Sequence, residues 1–175
     1  NWKAPSIIRE LDNYVPAGST ITIVATAVGI QEKLDALSTE LLNQKLTFLE
    51  GDITDRKNLE SLNLNTFGHI ILLCYSDDLA VQKADARTMI TLLHLRDIAE
   101  KTNQDFSIVS EMLDIRNRNL AEVSQADDFI VSDKLISLIM AQVSENKSLN
   151  TVFQDIFDPE GSEIYLKPID GYIDT

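Results

Sequence analysis

Two apolar segments in the middle of the chain each run into a polar, acidic turn and then into a helical pattern. The first segment, 45–50, is followed by Gly-Asp-Ile-Thr-Asp, and the second, 69–75, by Ser-Asp-Asp. In an open parallel α/β sheet, polar residues collect at the carboxyl ends of the strands, where ligands bind. The sequence therefore predicts a doubly wound parallel sheet with helices on both faces.

Strand and helix patterns alternate along most of the chain. β-branched or apolar runs predict strands at 20–26, 45–50, 69–75, 106–110 and 129–131. Apolar residues at helical spacing predict helices at 2–15, 30–42, 56–62, 78–102, 116–123, 133–146 and 149–157. An α/β domain seldom begins with a helix that has no strand before it. We therefore expect a Rossmann-like sheet that lacks its first strand, in a chain cut from something larger.

The predicted elements suggest three parts. Residues 1–131 form the α/β lobe, residues 132–158 a helix-turn-helix arm, and residues 159–175 the start of a truncated further lobe. The arm breaks the alternation because only a tight turn separates its two helices. Its apolar positions form wide stripes, and they either pack on the parent sheet or dock on a second copy of the chain. These positions are Leu135, Leu138, Ile139, Val143, Leu149, Val152, Phe153, Ile156 and Phe157.

Charge and cysteine content exclude several classes of function. The chain has 15 basic and 28 acidic residues, a net charge of -13. Such a chain repels nucleic acid and anionic lipid and attracts cations. A single cysteine, Cys74, cannot form a disulfide within one chain, and its apolar surroundings predict a buried thiol. No apolar stretch is long enough to cross a bilayer, so we expect a soluble piece in the cytoplasm that does not insert into membrane.

The turn after segment 45–50 is the first candidate ligand site. Gly51 would let a ligand approach the backbone, and Asp52 can accept hydrogen bonds from an adenine amine or a ribose hydroxyl. Thr54 lies in the same turn. The alternative is that Thr54 or Asp55 only caps the helix that follows.

The turn after segment 69–75 is the second candidate site. Ser76, Asp77 and Asp78 close the most apolar strand, and we expect one of them to be the N-cap of the longest helix. Asp77 and Asp78 are also candidate ligands for Ca²⁺, although such a site takes about six to eight oxygen atoms. Capping is the simpler interpretation.

A dinucleotide-dependent enzyme is a weaker interpretation of the same fold. The glycine-rich phosphate loop is absent from the sequence, and Thr26, Ala27 and Val28 stand where a ribose-binding carboxylate is expected. No tyrosine is followed four residues later by lysine, the dyad of short-chain dehydrogenases. NAD binding is thus weakly supported, and no catalytic residue is predicted. A soluble NAD(P)-binding oxidoreductase and a non-binding oligomerisation scaffold remain as alternatives.

Longer segments carry a more specific resemblance. The Gly-Asp-Ile-Thr-Asp turn resembles that of RCK domains, the TrkA-N type of nucleotide-binding module. The segments SIVSEMLDIRNR, at 107–118, and SDKLISLIMAQVSENKSLNTV, at 132–152, resemble the CASTOR/POLLUX/SYM8 group of ion channels. That resemblance implies a cytoplasmic RCK-type domain that forms a gating ring with its own copies, senses Ca²⁺ or a small ligand, and acts on the transmembrane pore of its parent. The arm would be the crossover pair of such domains.

Overall fold

The computed structural model describes residues 3–26, 30–75, 79–104, 106–117 and 128–159. The chain forms two compact units, Asn1–Ile136 and Ser137–Thr175. The helices are α1 Lys3–Tyr14, α2 Ile30–Ser38, α3 Arg56–Ser61, α4 Val81–Thr102, α5 Ser132–Glu145 and α6 Leu149–Phe157. The strands are β1 Ser19–Ala25, β2 Gln44–Glu50, β3 His69–Leu72, β4 Ser107–Met112 and β5 Asp128–Val131. Short 3₁₀ helices occupy Leu64–Thr66 and Ile115–Asn117.

All strand pairs are parallel, and the strands form two separate sets. β1 pairs with β2 in a register that runs from Ser19 opposite Gln44 to Ala25 opposite Glu50. The second set has the order β3-β4-β5. Parallel strands joined through helices are the defining feature of an α/β fold. The predicted fold class, a Rossmann-like parallel α/β fold with a helix pair at its end, is confirmed.

Each set of strands has its own apolar core. Ile8 of α1 and Leu34 and Leu37 of α2 are buried over β1 and β2, with Ile21, Ile23, Leu46 and Phe48 packed against them. The larger core joins α3 and α4 to β3 and β4 through Leu59, Leu64, Leu72, Leu92, Leu95, Ile98, Ala99, Phe106 and Ile108. Burial of the leucine, isoleucine and phenylalanine side chains, each worth about 1.5–3 kcal/mol, supplies most of the driving force for folding.

Helix α1 runs in the direction opposite to the strands. At its start, Lys3 forms an ion pair with Glu111, which lies near the carboxyl end of β4. At its end, the Asp12 carboxylate accepts hydrogen bonds from the backbone N–H groups of Leu42 (2.8 Å) and Asn43 (2.9 Å), just before β2 begins. α1 therefore spans from the carboxyl edge to the amino edge of the sheet.

Local signals explain where several elements begin and end. Asp55 is the N-cap of α3, since its carboxylate accepts a hydrogen bond from the N–H of Lys57 at 3.0 Å. The C-cap of α4 is Asn103, whose φ of 51° is left-handed and whose N–H bonds to carbonyls of the last turn. Gly18, with φ of 89°, makes the turn that leads into β1.

Some predicted boundaries were wrong. The strand predicted at 69–75 ends at Leu72, and the helix predicted at 30–42 ends at Ser38, which leaves Leu42 89% exposed. The longest helix begins at Val81 with Ala80 as its N-cap, so none of Ser76, Asp77 and Asp78 is the cap. The helix predicted at 116–123 begins instead as a 3₁₀ turn, and its remainder lies outside the described residues.

The two last helices are joined as predicted by a tight turn. The N–H of Leu149 bonds to the carbonyl of Asn146 at 3.0 Å, and the N–H of Ser148 bonds to the Asn146 side chain at 3.0 Å. Among the helices of the described segments, none is both long enough and apolar enough to cross a membrane. Residues 160–175, in which the sequence predicts the start of a further lobe, lie outside the described residues.

Candidate functional site

Asp52 anchors the turn that follows β2. Its Oδ1 accepts hydrogen bonds from the N–H of Thr54 at 2.9 Å and from the Thr54 hydroxyl at 2.8 Å. The Asn58 side chain donates to the Asp52 carbonyl at 3.0 Å. The two bonds from Thr54, aided by the nearby Arg87 guanidinium, hold the pKa of Asp52 below its ordinary value. This carboxylate is therefore a fixed negative charge at the carboxyl end of the sheet.

Arg87 joins this turn to the following helix. Its Nη2 donates to Asp52 Oδ1 at 2.7 Å, and its guanidinium lies 5.1 Å from the centre of the Tyr75 ring, within the range of a cation–π contact. Thr91, one turn further along α4, donates to the carbonyl of Ile53 at 3.2 Å. α4 begins after the carboxyl end of β3, and these contacts join it to the turn that follows the carboxyl end of β2. The carboxyl ends of β2 and β3 therefore lie on the same side of the domain.

Gly51 and Asp55 are the other residues of this turn whose roles the structure clarifies. Gly51 has no left-handed φ, and a Cβ there would make ordinary contacts of 3.6 Å with Asn58 and Val24, so space for a side chain exists. Asp55 is occupied as the cap of α3. Asp55 therefore caps α3, whereas the Asp52 carboxylate is bound by Thr54 and Arg87. Ligand binding by Gly51, Asp52 and Thr54 stays a prediction.

The second predicted site, Ser76, Asp77 and Asp78, lies outside the described residues. Its neighbours on either side are Tyr75, beside Arg87, and Leu79, which leads into α4. Within the described ranges no group of three histidine, cysteine or acidic side chains is arranged to hold a metal ion. The Ca²⁺ role of Asp77 and Asp78 stays a prediction.

A buried carboxylate that the sequence analysis missed connects three segments. Glu111, with its side chain 8% exposed, pairs with Lys3 of α1 and accepts a hydrogen bond from the hydroxyl of Ser132, the first residue of α5. Its Oε2 accepts from the N–H of Cys74 at 3.1 Å. Burial raises the pKa of Glu111, but the bonds from Lys3, Ser132 and Cys74 outweigh it, so the pKa is lowered overall.

A second buried carboxylate holds the loop after β4. Asp85 of α4 is 2% exposed and accepts hydrogen bonds from the N–H groups of Leu113 (2.9 Å) and Asp114 (3.0 Å) and from the Asn117 amide (2.7 Å). Cys74 lies 3.6 Å from the same carboxylate. Burial raises the pKa of the Cys74 thiol to about 11, so it stays protonated at neutral pH. The prediction of a buried Cys74 is confirmed.

The sequence contains a weak indication of the buried carboxylates Glu111 and Asp85. Glu111 is a charged residue inside the otherwise apolar or small run of β4, and Asp85 lies on the buried stripe of α4 with Ala84, Thr88 and Leu92. A carboxylate in such a place is costly unless it is hydrogen-bonded. Arg87 gave no such signal, because arginine is common on exposed helix faces.

The apolar positions predicted on the arm helices differ in exposure. On α5, Leu135 and Leu138 are 47% and 46% exposed, and on α6, Val152 and Phe157 are 48% and 60% exposed. The other five are half-buried, namely Ile139, Val143, Leu149, Phe153 and Ile156. The rings of Phe153 and Phe157 stack with their centres 6.4 Å apart. None of the residues of α5 and α6 is buried within the described structure. Exposed apolar stripes of this size are typical of interfaces.

The parallel strands, the helices between them and the acidic carboxyl edge define a Rossmann-like α/β domain. No protein-family model matches the chain. Curated relatives do: it is 33% identical over 170 residues to the ion channel DMI1 of Medicago truncatula, covering 81% of this chain and 19% of that protein. It is 33% identical to the ion channel POLLUX (76% of this chain, 18% of that protein) and 32% to the ion channel CASTOR (76% and 19%), both of Lotus japonicus.

The chain is thus related to the CASTOR, POLLUX and SYM8 group of ion channels, and it spans about a fifth of the length of these relatives. The resemblance seen in the sequence is confirmed. The relatives are named as channels and not as enzymes. A solved NADH-dependent reductase with NAD matches with 15% identity and a TM-score of 0.34 over 79% of this chain and 66% of its own, too distant to support a conclusion. The narrower assignment to an RCK-type domain stays a prediction.

Proposed function

We propose that this chain is a regulatory domain of a membrane cation channel, with an RCK-type architecture and a position on the cytoplasmic side. The observation that carries the proposal is the sequence relationship to named ion channels, which covers 81% of the chain. In this proposal, copies of the domain assemble into a gating ring. A ligand bound at the carboxyl edge favours one packing of that ring, and the ring shifts the pore between closed and open populations.

The proposed ligand site combines the two acidic turns. Asp52 supplies a fixed negative charge, held by Thr54 and Arg87, and the proposal adds Asp77 and Asp78 from the turn that leads to α4. Gly51 and Ser76 flank these carboxylates in sequence. Carboxylate oxygens are the ligands that Ca²⁺ prefers. The net charge of -13 would raise the local concentration of such a cation, so Ca²⁺ is the ligand we propose to test first.

Glu111 offers a route from the ligand site to the arm. One carboxylate oxygen binds the N–H of Cys74, two residues before Ser76, and the other binds Ser132 at the start of α5. A ligand that moves the turn after β3 would change the first contact and thereby the second. Because Lys3 shares this carboxylate, the start of α1 would respond as well. In this proposal, the buried contacts of Glu111 couple the ligand site to α1 and to the arm.

The proposed ring interface is the apolar stripe of the arm. It comprises Leu135, Leu138, Ile139 and Val143 on α5 and Leu149, Val152, Phe153, Ile156 and Phe157 on α6. The partner is a second copy of the same chain, and ring assembly through these helices would bring the arms of neighbouring copies together.

A flux assay on the full-length protein tests the ligand part of the proposal. The protein is reconstituted in lipid vesicles, and cation flux is measured while Ca²⁺ is added on the side that carries the domain. Asp77→Asn with Asp78→Asn should shift the Ca²⁺ response to about tenfold or higher concentration, since two charged ligands are removed. Glu100→Gln, an exposed carboxylate near the other end of α4, is the matched control and should leave the response unchanged. An unaltered Ca²⁺ response in the double variant rejects the assigned site.

A further inference from the structure

Arg87 places a positive charge beside the carboxylate of the proposed ligand site. Its Nη2 donates to Asp52 Oδ1 at 2.7 Å, so the negative charge of Asp52 is balanced from within the chain. A cation that approaches Asp52 is attracted by the carboxylate and repelled by the guanidinium. The same contact therefore bears on how tightly the site holds a cation.

The turn around Asp52 is held in shape by bonds other than that of Arg87. Thr54 donates to Asp52 Oδ1 through its N–H at 2.9 Å and its hydroxyl at 2.8 Å, and Asn58 donates to the Asp52 carbonyl at 3.0 Å. The two bonds from Thr54 are also the main cause of the lowered pKa of Asp52, ahead of Arg87. The Thr91 hydroxyl separately joins α4 to a carbonyl of the turn at 3.2 Å. The side chain of Arg87 thus contributes charge more than shape.

The contact between Arg87 and Asp52 is also weak for an ion pair. The two side chains are 30% and 43% exposed, and exposed ion pairs add little to stability. One N–H bond joins them, in place of the two parallel bonds that make arginine–carboxylate pairs strong. Arg87 Nε is buried and has no acceptor among the described residues, which is an unfavourable position for a donor. The guanidinium can therefore leave Asp52 at low cost.

We propose that Arg87 is a built-in competitor for the cation ligand at Asp52. The ligand ion gains this carboxylate as the guanidinium leaves it, and the competition sets the affinity of the site. The Tyr75 ring, 5.1 Å from the guanidinium, offers a contact that does not require Asp52. Because Arg87 belongs to α4, the exchange of one cation for the other also acts on that helix. This inference rests on the proposed function, since it takes a divalent cation as the ligand.

Calcium binding to the purified full-length protein tests this inference. Binding of radioactive Ca²⁺ is measured by equilibrium dialysis for the parent and for Arg87→Met, which removes the charge and keeps an apolar stem. Arg87→Lys keeps the charge. Arg9→Met is the matched control, because Arg9 is likewise paired with a carboxylate, that of Glu40 at 2.6 Å, on another helix. Asp52→Asn, alone and combined with Arg87→Met, shows whether an effect passes through Asp52, and circular dichroism checks the fold of each variant.

Arg87→Met should bind Ca²⁺ about tenfold or more tightly than the parent, since a neighbouring charge changes the proton affinity of a carboxylate by about ten- to a thousandfold. Arg87→Lys and Arg9→Met should bind as the parent does, and the gain should vanish when Asp52→Asn is added. A merely structural role of Arg87 would leave the affinity unchanged or lower it.

The contrary outcomes separate this inference from the proposed function. Equal or weaker Ca²⁺ binding by Arg87→Met overturns the inference, while binding by the parent leaves the proposed function standing. A gain that persists in the Asp52→Asn background also overturns it, because the effect then arises elsewhere. Unfolding of Arg87→Met would show that the residue is structural and would likewise reject it. Ca²⁺ binding by neither the parent nor Arg87→Met overturns both the inference and the proposed Ca²⁺ site.

Discussion

At the scale of single residues, two buried carboxylates organise the carboxyl edge. Asp85 binds backbone N–H groups of the loop after β4, and Glu111 joins β4 to α1, to the turn after β3 and to α5. Buried carboxylates are stable only when their oxygens are bonded, and each bond to a charged group contributes about 1.5–3 kcal/mol. Both residues therefore fix the loops around the proposed ligand site.

Asp85→Ala should lower the free energy of unfolding by about 2–3 kcal/mol, because it leaves the N–H groups of Leu113 and Asp114 without their acceptor. Urea denaturation followed by circular dichroism measures the change. Glu100→Ala, an exposed position on the same helix, serves as the control and should change stability by less than about 0.5 kcal/mol. A loss for Asp85→Ala no larger than that of the control would contradict the anchoring role.

Glu111 should make stability depend on pH in the acid range. Its pKa in the folded chain lies below the ordinary value of glutamate, about 4.3, so its contribution is present above that value and is lost as the pH falls through the folded pKa. Glu111→Gln should cost about 1–3 kcal/mol at pH 7 and flatten the curve of unfolding free energy below about pH 5. Lys3→Met, which removes one donor, should give an intermediate curve. Identical acid curves for the parent and Glu111→Gln would refute this assignment.

The residues of the proposed ligand site show which contacts can be predicted from sequence. The position of Asp52 at the end of a strand followed from the run of β-branched and apolar residues before it, and its carboxylate indeed lies at the carboxyl edge. Its ion pair with Arg87 was not predictable, because 35 residues separate the partners and only the packing of α3 and α4 brings them together. Glu111 was missed for the same reason: its partners come from three distant segments.

At the scale of elements, the strand and helix pattern was predictable where side-chain periodicity was strong. β1, β2, α3 and α6 lie within one or two residues of their predicted bounds. The predicted bounds were wrong where contacts between distant segments determine where an element begins or ends. The backbone of Cys74 leaves the ladder of β3 because its N–H binds the side chain of Glu111, and Ala80 replaces the acidic turn as the cap of α4.

The arm helices carry a prediction of their own. If their apolar stripe joins copies of the chain, Phe153→Asp and Phe157→Asp should each raise the dissociation constant of self-association by about tenfold or more, since burying a phenylalanine contributes about 1.5–3 kcal/mol. Analytical ultracentrifugation over a range of concentrations measures this. Thr151→Asp adds the same charge at a position outside the stripe and should sediment as the parent does.

Circular dichroism must show that both phenylalanine variants keep their helices. Sedimentation identical to that of the parent in both variants would mean that the stripe does not join copies. The arm would then have another role, and the ring part of the proposed function would be wrong.

At the scale of the whole molecule, the chain is a Rossmann-like α/β domain related to named ion channels, and ligand sensing and channel regulation are the function that we propose for it. The chain spans about a fifth of the length of its curated relatives, and the pore of the proposed channel would lie outside it. The sequence alone indicated both the family and the fold. The division of the strands into two sets and the direction of α1 needed the structure, because both depend on which strands pair.

The sequence of the full-length transcript that encodes this chain tests the channel proposal. We expect apolar spans of about 20 residues, long enough to cross a bilayer, followed by a short apolar strand that leads directly into α1. A full-length protein with no such span would contradict the channel account and would leave a sensor or an enzyme without a pore.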